Sequence, residues 1–313
     1  MNIPVFNRFR KGPRLLLMLA LVLPVLISSL ALALGAAPPL DPLLVYVITF
    51  NNQFGVVNLA TGAFHQIGPV TPEPEASLVW WNGSLLSLTV SGELEKINPV
   101  TGETSDIGPT GLGFNAIDLA EVHGKLYATD FSNNIYSVNP GTGEATFLRA
   151  TGMPPIPIVP FSVNSDGTVN LFDESFYGAA GKLYATFDAF TIDPITLVET
   201  PDSCCRPTLY QIDPSTGDAT AIGPTKLGLG SSLELNGEFY AFRWAPAGCD
   251  PCTPAADFTP LIRSQLFKLD LRTGTATPAR NAAGPIFVDA AAGGIIGAAP
   301  YFGEWKHEGK HSR

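Results

Sequence analysis

From residue 43 onward the chain alternates β-branched and aromatic residues with polar ones in short runs, each run cut by Gly, Asn, Asp or Pro. Such runs suit half-buried strands, and the punctuation suits turns. One unit reads AIDLAEV (Ala116–Val122), a His-Gly turn, LYATD (Leu126–Asp130), a polar turn, IYSVNP (Ile135–Pro140), a Gly-Thr-Gly turn and EATFLR (Glu144–Arg149). This grammar predicts four short antiparallel strands. No stretch beyond the N-terminal leader sustains a 3.6-residue period, so helices are expected to be few.

The unit recurs. LYQIDPSTGDATAIG (Leu209–Gly223), LEKINPVTGETSDIG (Leu94–Gly108) and IYSVNPGTGEATFLR (Ile135–Arg149) are close copies, with looser ones at Val56–Gly68 and Leu266–Arg280. In the turn, Pro fixes φ at one corner and Gly supplies the positive φ that a hairpin needs. Four-stranded units of about 40 residues are the size of a propeller blade, and each buries its apolar face only against a neighbour. The fold class expected is therefore all-β, a β-propeller. The first unit starts at its second strand, LVYVITF (Leu44–Phe50), and lacks a first one. IFVDAAA (Ile286–Ala292) has the first-strand pattern with no complete unit after it, so its pairing with Leu44–Phe50 is expected to close five blades and hide the sheet edges. Phe190–Glu199 (FTIDPITLVE) resembles half a further repeat and keeps six blades open.

The Asp/Asn-Pro-x-Thr-Gly turns and LYATDFSNNIYSVNPGTGEAT resemble those of secreted bacterial β-propeller proteins with IDPxTG repeats, and are similar to NHL-type and quinoprotein-like blades. The resemblance covers about Leu43 to Ala299. It implies propeller architecture and no particular activity, since the matching residues build turns.

Before the repeats, Arg8, Arg10, Lys11 and Arg14 precede an apolar run from Leu15 to Leu34, followed by Gly35, Ala36 and Ala37. Residues 1–37 read as a signal peptide or as a retained N-terminal membrane anchor. Both place the domain, residues 43–301, outside the cytoplasm: secreted, periplasmic or at the cell surface. A polar tail covers 302–313. Without the leader's four basic residues, 14 Lys plus Arg face 28 Asp plus Glu, a net charge near −14. So acidic a domain lacks the basic face that nucleic-acid phosphates require.

Candidate chemistry lies in two places. From hairpin glycine to Thr-Gly glycine is 19 residues in two units (83 to 102, 124 to 143), but 36 and 37 in the next two (181 to 217, 237 to 274). The resulting insertions, 188–207 and 244–263, hold all four cysteines: Cys204, Cys205, Cys249 and Cys252. In an exported domain these suit two disulfides linking neighbouring loops, with a thiolate zinc site or free redox-active thiols as the alternatives. The second place is the axis, which first strands line. These carry Asp118 and Glu121, Asp173 and Glu174, Glu234 and Asp289, with Glu75 just ahead of the remaining one. Convergence of Asp118, Glu121, Glu174, Glu234 and Asp289, with Asn115, would suit Ca²⁺ or another divalent cation; otherwise they face a wet channel. No nucleophile elbow or phosphate loop is present.

The leading expectation from sequence is a non-enzymatic binding module. It would present its stapled loops to a protein, glycan or small ligand. The alternatives are a metal-dependent hydrolase or lactonase using the channel carboxylates, and a structural envelope protein.

Overall fold

In chain order the strands are β1 (Leu44–Thr49), β2 (Gln53–Asn58), β3 (Phe64–Val70), β4 (Glu75–Trp81), β5 (Ser84–Thr89), β6 (Glu93–Ile97) and β7 (Thr104–Pro109). Next come β8 (Ala116–Val122), β9 (Lys125–Asp130), β10 (Asn134–Val138), β11 (Ala145–Ala150), β12 (Val169–Ala179), β13 (Lys182–Ile192), β14 (Glu199–Pro201), β15 (Thr208–Ile212) and β16 (Ala219–Pro224). The last are β17 (Ser231–Leu235), β18 (Glu238–Pro246), β19 (Ile262–Leu269), β20 (Ala276–Pro278), β21 (Arg280–Asn281), β22 (Gly284–Pro285) and β23 (Ile295–Pro300). The computed structural model describes residues 43–70, 73–154, 163–193, 199–201, 207–246, 262–288 and 295–301. Its sheets run β23-β1-β2-β3, β4 to β7, β8 to β11, β12-β13-β15-β16 and β17 to β20, which makes a five-bladed propeller of antiparallel four-stranded sheets. Among the described residues the single helical segment is the 3-10 turn Gly113–Asn115.

The repeated phrase builds the same turn five times. The Thr-Gly glycine donates its N–H to the carbonyl of the Asn or Asp four residues back, in Gly62 to Asn58, Gly102 to Asn98, Gly143 to Asn139, Gly217 to Asp213 and Gly274 to Asp270, at 2.7–2.8 Å. The Asn or Asp carboxamide or carboxylate then accepts a backbone N–H two residues on, as Asn98 Oδ1 does from Val100 and Asp213 Oδ1 from Ser215. The turn also faces the preceding blade. A Cβ on Gly143, whose φ is +81°, would lie 2.1 Å from the Gly108 carbonyl oxygen on β7. Gly143→Ala therefore combines a disfavoured φ with a backbone collision and is expected to cost about 3 kcal/mol or more. Gly83→Ala is the control, since its φ is +78° but a Cβ there meets nothing within 4 Å. Thermal melts check this: Gly143→Ala should melt several degrees below Gly83→Ala.

Period-two alternation explains the core. Leu44, Tyr46 and Ile48 on β1 pack with Leu78, Leu85 and Ile97 of the second blade. Val45 and Val47, on the other face of the same strand, pack with Leu233, Phe242 and Leu266 of the fifth. Three further buried clusters join the second blade to the third, the third to the fourth and the fourth to the fifth. Every blade interface thus holds its own apolar layer, and the layer between the last and first blades shuts the ring.

The closing strand differs from the expected one. β23 pairs with β1 in antiparallel register, Val45 opposite Pro300 and Ile48 opposite Gly297. Ile286–Val288 instead continues the outer edge of the fifth blade: Leu266 donates to the Ile286 carbonyl and Val288 donates to that of Ser264. It also abuts the first blade's Thr-Gly turn, where a Cβ on Gly62 would lie 1.9 Å from the Phe287 carbonyl oxygen. Nor is Phe190–Glu199 the start of a sixth blade. β12 and β13 are 11-residue strands, and Phe190–Ile192 pairs with β14 as an extension of the fourth sheet.

Candidate functional site at the propeller axis

Two pockets share the axis. The first, about 350 Å³, opens at the mouth where the innermost strands β4, β8 and β23 begin, and is lined by Glu75, Ala116, Asp118, Glu174 and Ile296. The turns between second and third strands surround it, contributing Phe50, Asn52, Val90 and Phe131, and Phe114 projects from the 3-10 turn. The second pocket, about 330 Å³, lies at the opposite mouth among strand ends, and holds Trp80, Glu121, Tyr177 and Glu234. Asp118 lines both.

The first pocket gathers three buried carboxyls from the inner strands of the second, third and fourth blades. Glu75 is the first residue of β4 and is 1% exposed, and neither of its oxygens completes a hydrogen bond. Burial pushes its carboxyl up to about 8, and Glu95 beside it pushes the same way, while the adjacent Ser87 hydroxyl opposes both. Glu95, on β6, is itself raised, first by burial. Asp118 is held from two sides: Oδ1 accepts the Leu119 N–H at 2.8 Å, and Oδ2 accepts the Phe176 N–H of the next blade at 2.8 Å. Those donors favour its ionised form, yet burial prevails and lifts it to about 8. Glu174, on β12, is 7% exposed. Its Oε1 accepts the Thr129 hydroxyl at 3.0 Å, while its Oε2 is buried without a partner. Burial first, and the neighbouring Asp118 second, raise it well above the usual carboxylate range. Glu75 and Asp118 therefore keep their protons near neutral pH, and Glu174 is shifted in the same direction.

The other expected residues lie elsewhere. Glu121 turns away from the three, its Oε1 accepting the Gly124 N–H at the end of β8, and Glu234 stands with it at the second mouth. Asp118 and Glu121 are three places apart on one strand, roughly 10 Å along it and on opposite faces, so they do not share a cation. Asn115 is exposed in the 3-10 turn. Among the described residues no group of three or more His, Cys, Asp or Glu side chains is placed to hold a metal ion. Asp289 and the four cysteines lie outside the described residues. Trp80 stacks on Tyr46, ring centroids 6.1 Å apart, and Trp81 Nε1 donates to the Gly124 carbonyl, so both serve blade packing.

Glu75 was legible only as an acid ahead of a strand. That a bulge between Glu75 and Ser77 sets it at the pocket is a matter of register, which the alternation pattern does not carry.

No protein-family model matches the chain, and no curated protein matches it. Among solved structures it is similar to the crystal structure of Myxococcus xanthus glutaminyl cyclase, at 14% identity and a TM-score of 0.36, over 73% of each chain. That name is an enzyme's; the expectation of a non-enzymatic binding module is set aside in favour of the chemistry that the axial pocket assembles.

Proposed function

We propose that the protein is an acid–base enzyme and that the pocket of Glu75, Asp118 and Glu174 is its active site. One observation carries the reading: carboxyl oxygens buried without partners face an open, largely apolar pocket, an arrangement that raises their proton affinity and leaves them reactive. Glu174 is the general acid, since burial favours its protonated form and its Oε2 is unengaged. Glu75, also unengaged, ionises near pH 8 and is the general base. Asp118, tied to two backbone N–H groups between them, is a positioning residue that, once ionised above about pH 8, sustains the proton on Glu174. In one turnover Glu75 takes a proton from the attacking group and Glu174 gives one to the leaving atom, so the protein's net proton count is unchanged and the two residues are reset through solvent. The leader and the IDPxTG turns favour an exported location and a place among the secreted bacterial propellers.

Turnover of p-nitrophenyl esters, p-nitroanilides and p-nitrophenyl glycosides, read across pH 5–10, tests this. Glu174→Gln and Glu75→Gln should each lower kcat at least 100-fold on whichever class is turned over. Glu238→Gln, at an exposed ion pair with Lys268, should not. The wild-type rate should rise with a midpoint near pH 8 as Glu75 ionises. Equal rates in all three variants would reject the assignment.

A further inference from the structure

We propose that this pocket receives a primary ammonium group carried on an apolar body. The inference deepens the acid–base reading and rests on the same pocket. Three observations meet there. Among the described residues no Lys, Arg or His lines the pocket, so an anion would find carboxyls there and no counter-charge. Both oxygens of Glu75 and Oε2 of Glu174 are buried acceptors lacking donors, and an ammonium brings three N–H donors. Phe50, Phe114 and Phe131 ring the mouth, where aromatic faces attract a cation and an apolar body gains cover. Phe114 is 74% exposed, which leaves a large apolar surface at the entrance for that body.

Arrival of the cation changes the proton balance. The acids facing Glu75 are Glu95 on β6 and Glu73 ahead of β4, with Asp106 on β7 behind Glu95; those facing Glu174 are Asp118 on β8 and Asp130 on β9. All are acidic, so a bound ammonium is the counter-charge that lets a carboxyl ionise. Binding thus expels a proton into solvent, and the ammonium keeps its own.

Isothermal titration of the protein with phenethylammonium, in phosphate and in MOPS at pH 6, 7 and 8, reads this directly. The expected result is saturable binding with about one proton released at pH 7, tightening roughly tenfold per pH unit and levelling above pH 8. 2-Phenylethanol, its uncharged counterpart, should bind at least tenfold more weakly and release none. Glu75→Gln should weaken the ammonium at least tenfold and abolish the release, while its melt reports that it folds. Phenylalaninamide, carrying a peptide-like amino terminus, separates two sources of the group: tighter binding than phenethylammonium points to peptide ends, weaker binding to free amines, and either supports the class. Equal binding of 2-phenylethanol, absence of saturable ammonium binding at pH 8, or displacement by Ca²⁺ with the same proton release would overturn it. Because no turnover is involved, ammonium binding without catalysis leaves this inference standing, and catalysis without ammonium binding leaves only the acid–base reading.

Discussion

Ending the chain at Gly294, and so removing β23, is expected to abolish cooperative folding, whereas a chain ending at Tyr301 should melt as the intact one does. β23 is the innermost strand of the first blade and meets β1 at five positions, from Val45 opposite Pro300 to Thr49 opposite Ile295. Its loss strips Ile295, Ala298 and Ala299 from the core, all 6% exposed or less, and uncovers the Val45 and Val47 face where the fifth blade docks. Burial of one Ile is worth about 2–3 kcal/mol, and each lost ladder hydrogen bond about 1 kcal/mol. The total, on the order of 6–10 kcal/mol, rivals the whole stability of a typical domain. It also exposes the ladder edge of β1 that β23 covers, which favours aggregation. Circular dichroism melts and light scattering decide the matter. A truncated chain that melts within a few degrees of the intact protein would show that four complete blades hold together without the closing strand.

The blades were legible because their determinants are local. Asn98-Pro99-Val100-Thr101-Gly102 needs only its own five residues to form its turn, and Leu44, Tyr46 and Ile48 need only alternation to share a face. Blade number followed once the short β14 proved to be an extension of β13. The closing strand was not legible in the same way. IFVDAAA and IIGAAP are both short, apolar and C-terminal, and only the ladder partner separates them. What selects Ile295–Pro300 is close approach: a Cβ on Gly297 would lie 2.8 Å from the Leu78 backbone nitrogen, so the innermost position there tolerates no side chain. The site shows the same division. That acids line the axis could be read from Asp118, Glu174 and Glu234, but their depth along it could not. Depth puts Asp118 and Glu174 at one mouth with Glu75, and Glu121 and Glu234 at the other.

Thermal stability should fall steadily as pH rises from about 5 to 8, the reverse of the usual behaviour of carboxylates in proteins. Glu75 has an ordinary value of 4.5 and Asp118 of 3.8, and both rise to about 8 in the folded chain. Between those limits the folded state holds protons that the unfolded chain has released, so ∂ΔG/∂pH of unfolding is negative. The contribution is fully present below the ordinary values, declines through the interval and is gone above about 8. Glu174, raised by the same burial, adds to the decline in the same direction. Each group supplies roughly 1.4 kcal/mol per pH unit while it differs between the two states, so several kcal/mol are lost overall. A drop in Tm of about 10 °C or more follows for a domain of this size. The carboxylates of Asp166, Asp213 and Asp270, which local donors hold below their ordinary range, act only under about pH 4 and leave the window clear. Surface repulsion in so acidic a protein has the same sign, and salt separates the two: 0.5 M NaCl screens exposed charges but not a group 1% exposed. The slope should persist in salt and should shrink in Glu75→Gln, which keeps the shape and cannot ionise. That variant should out-melt the wild type at pH 8 and lose its advantage at pH 5. A Tm that is flat or rising across the interval would mean that the axial carboxyls are hydrated and ionised in the folded protein, and the acid–base site would lose its physical basis with them.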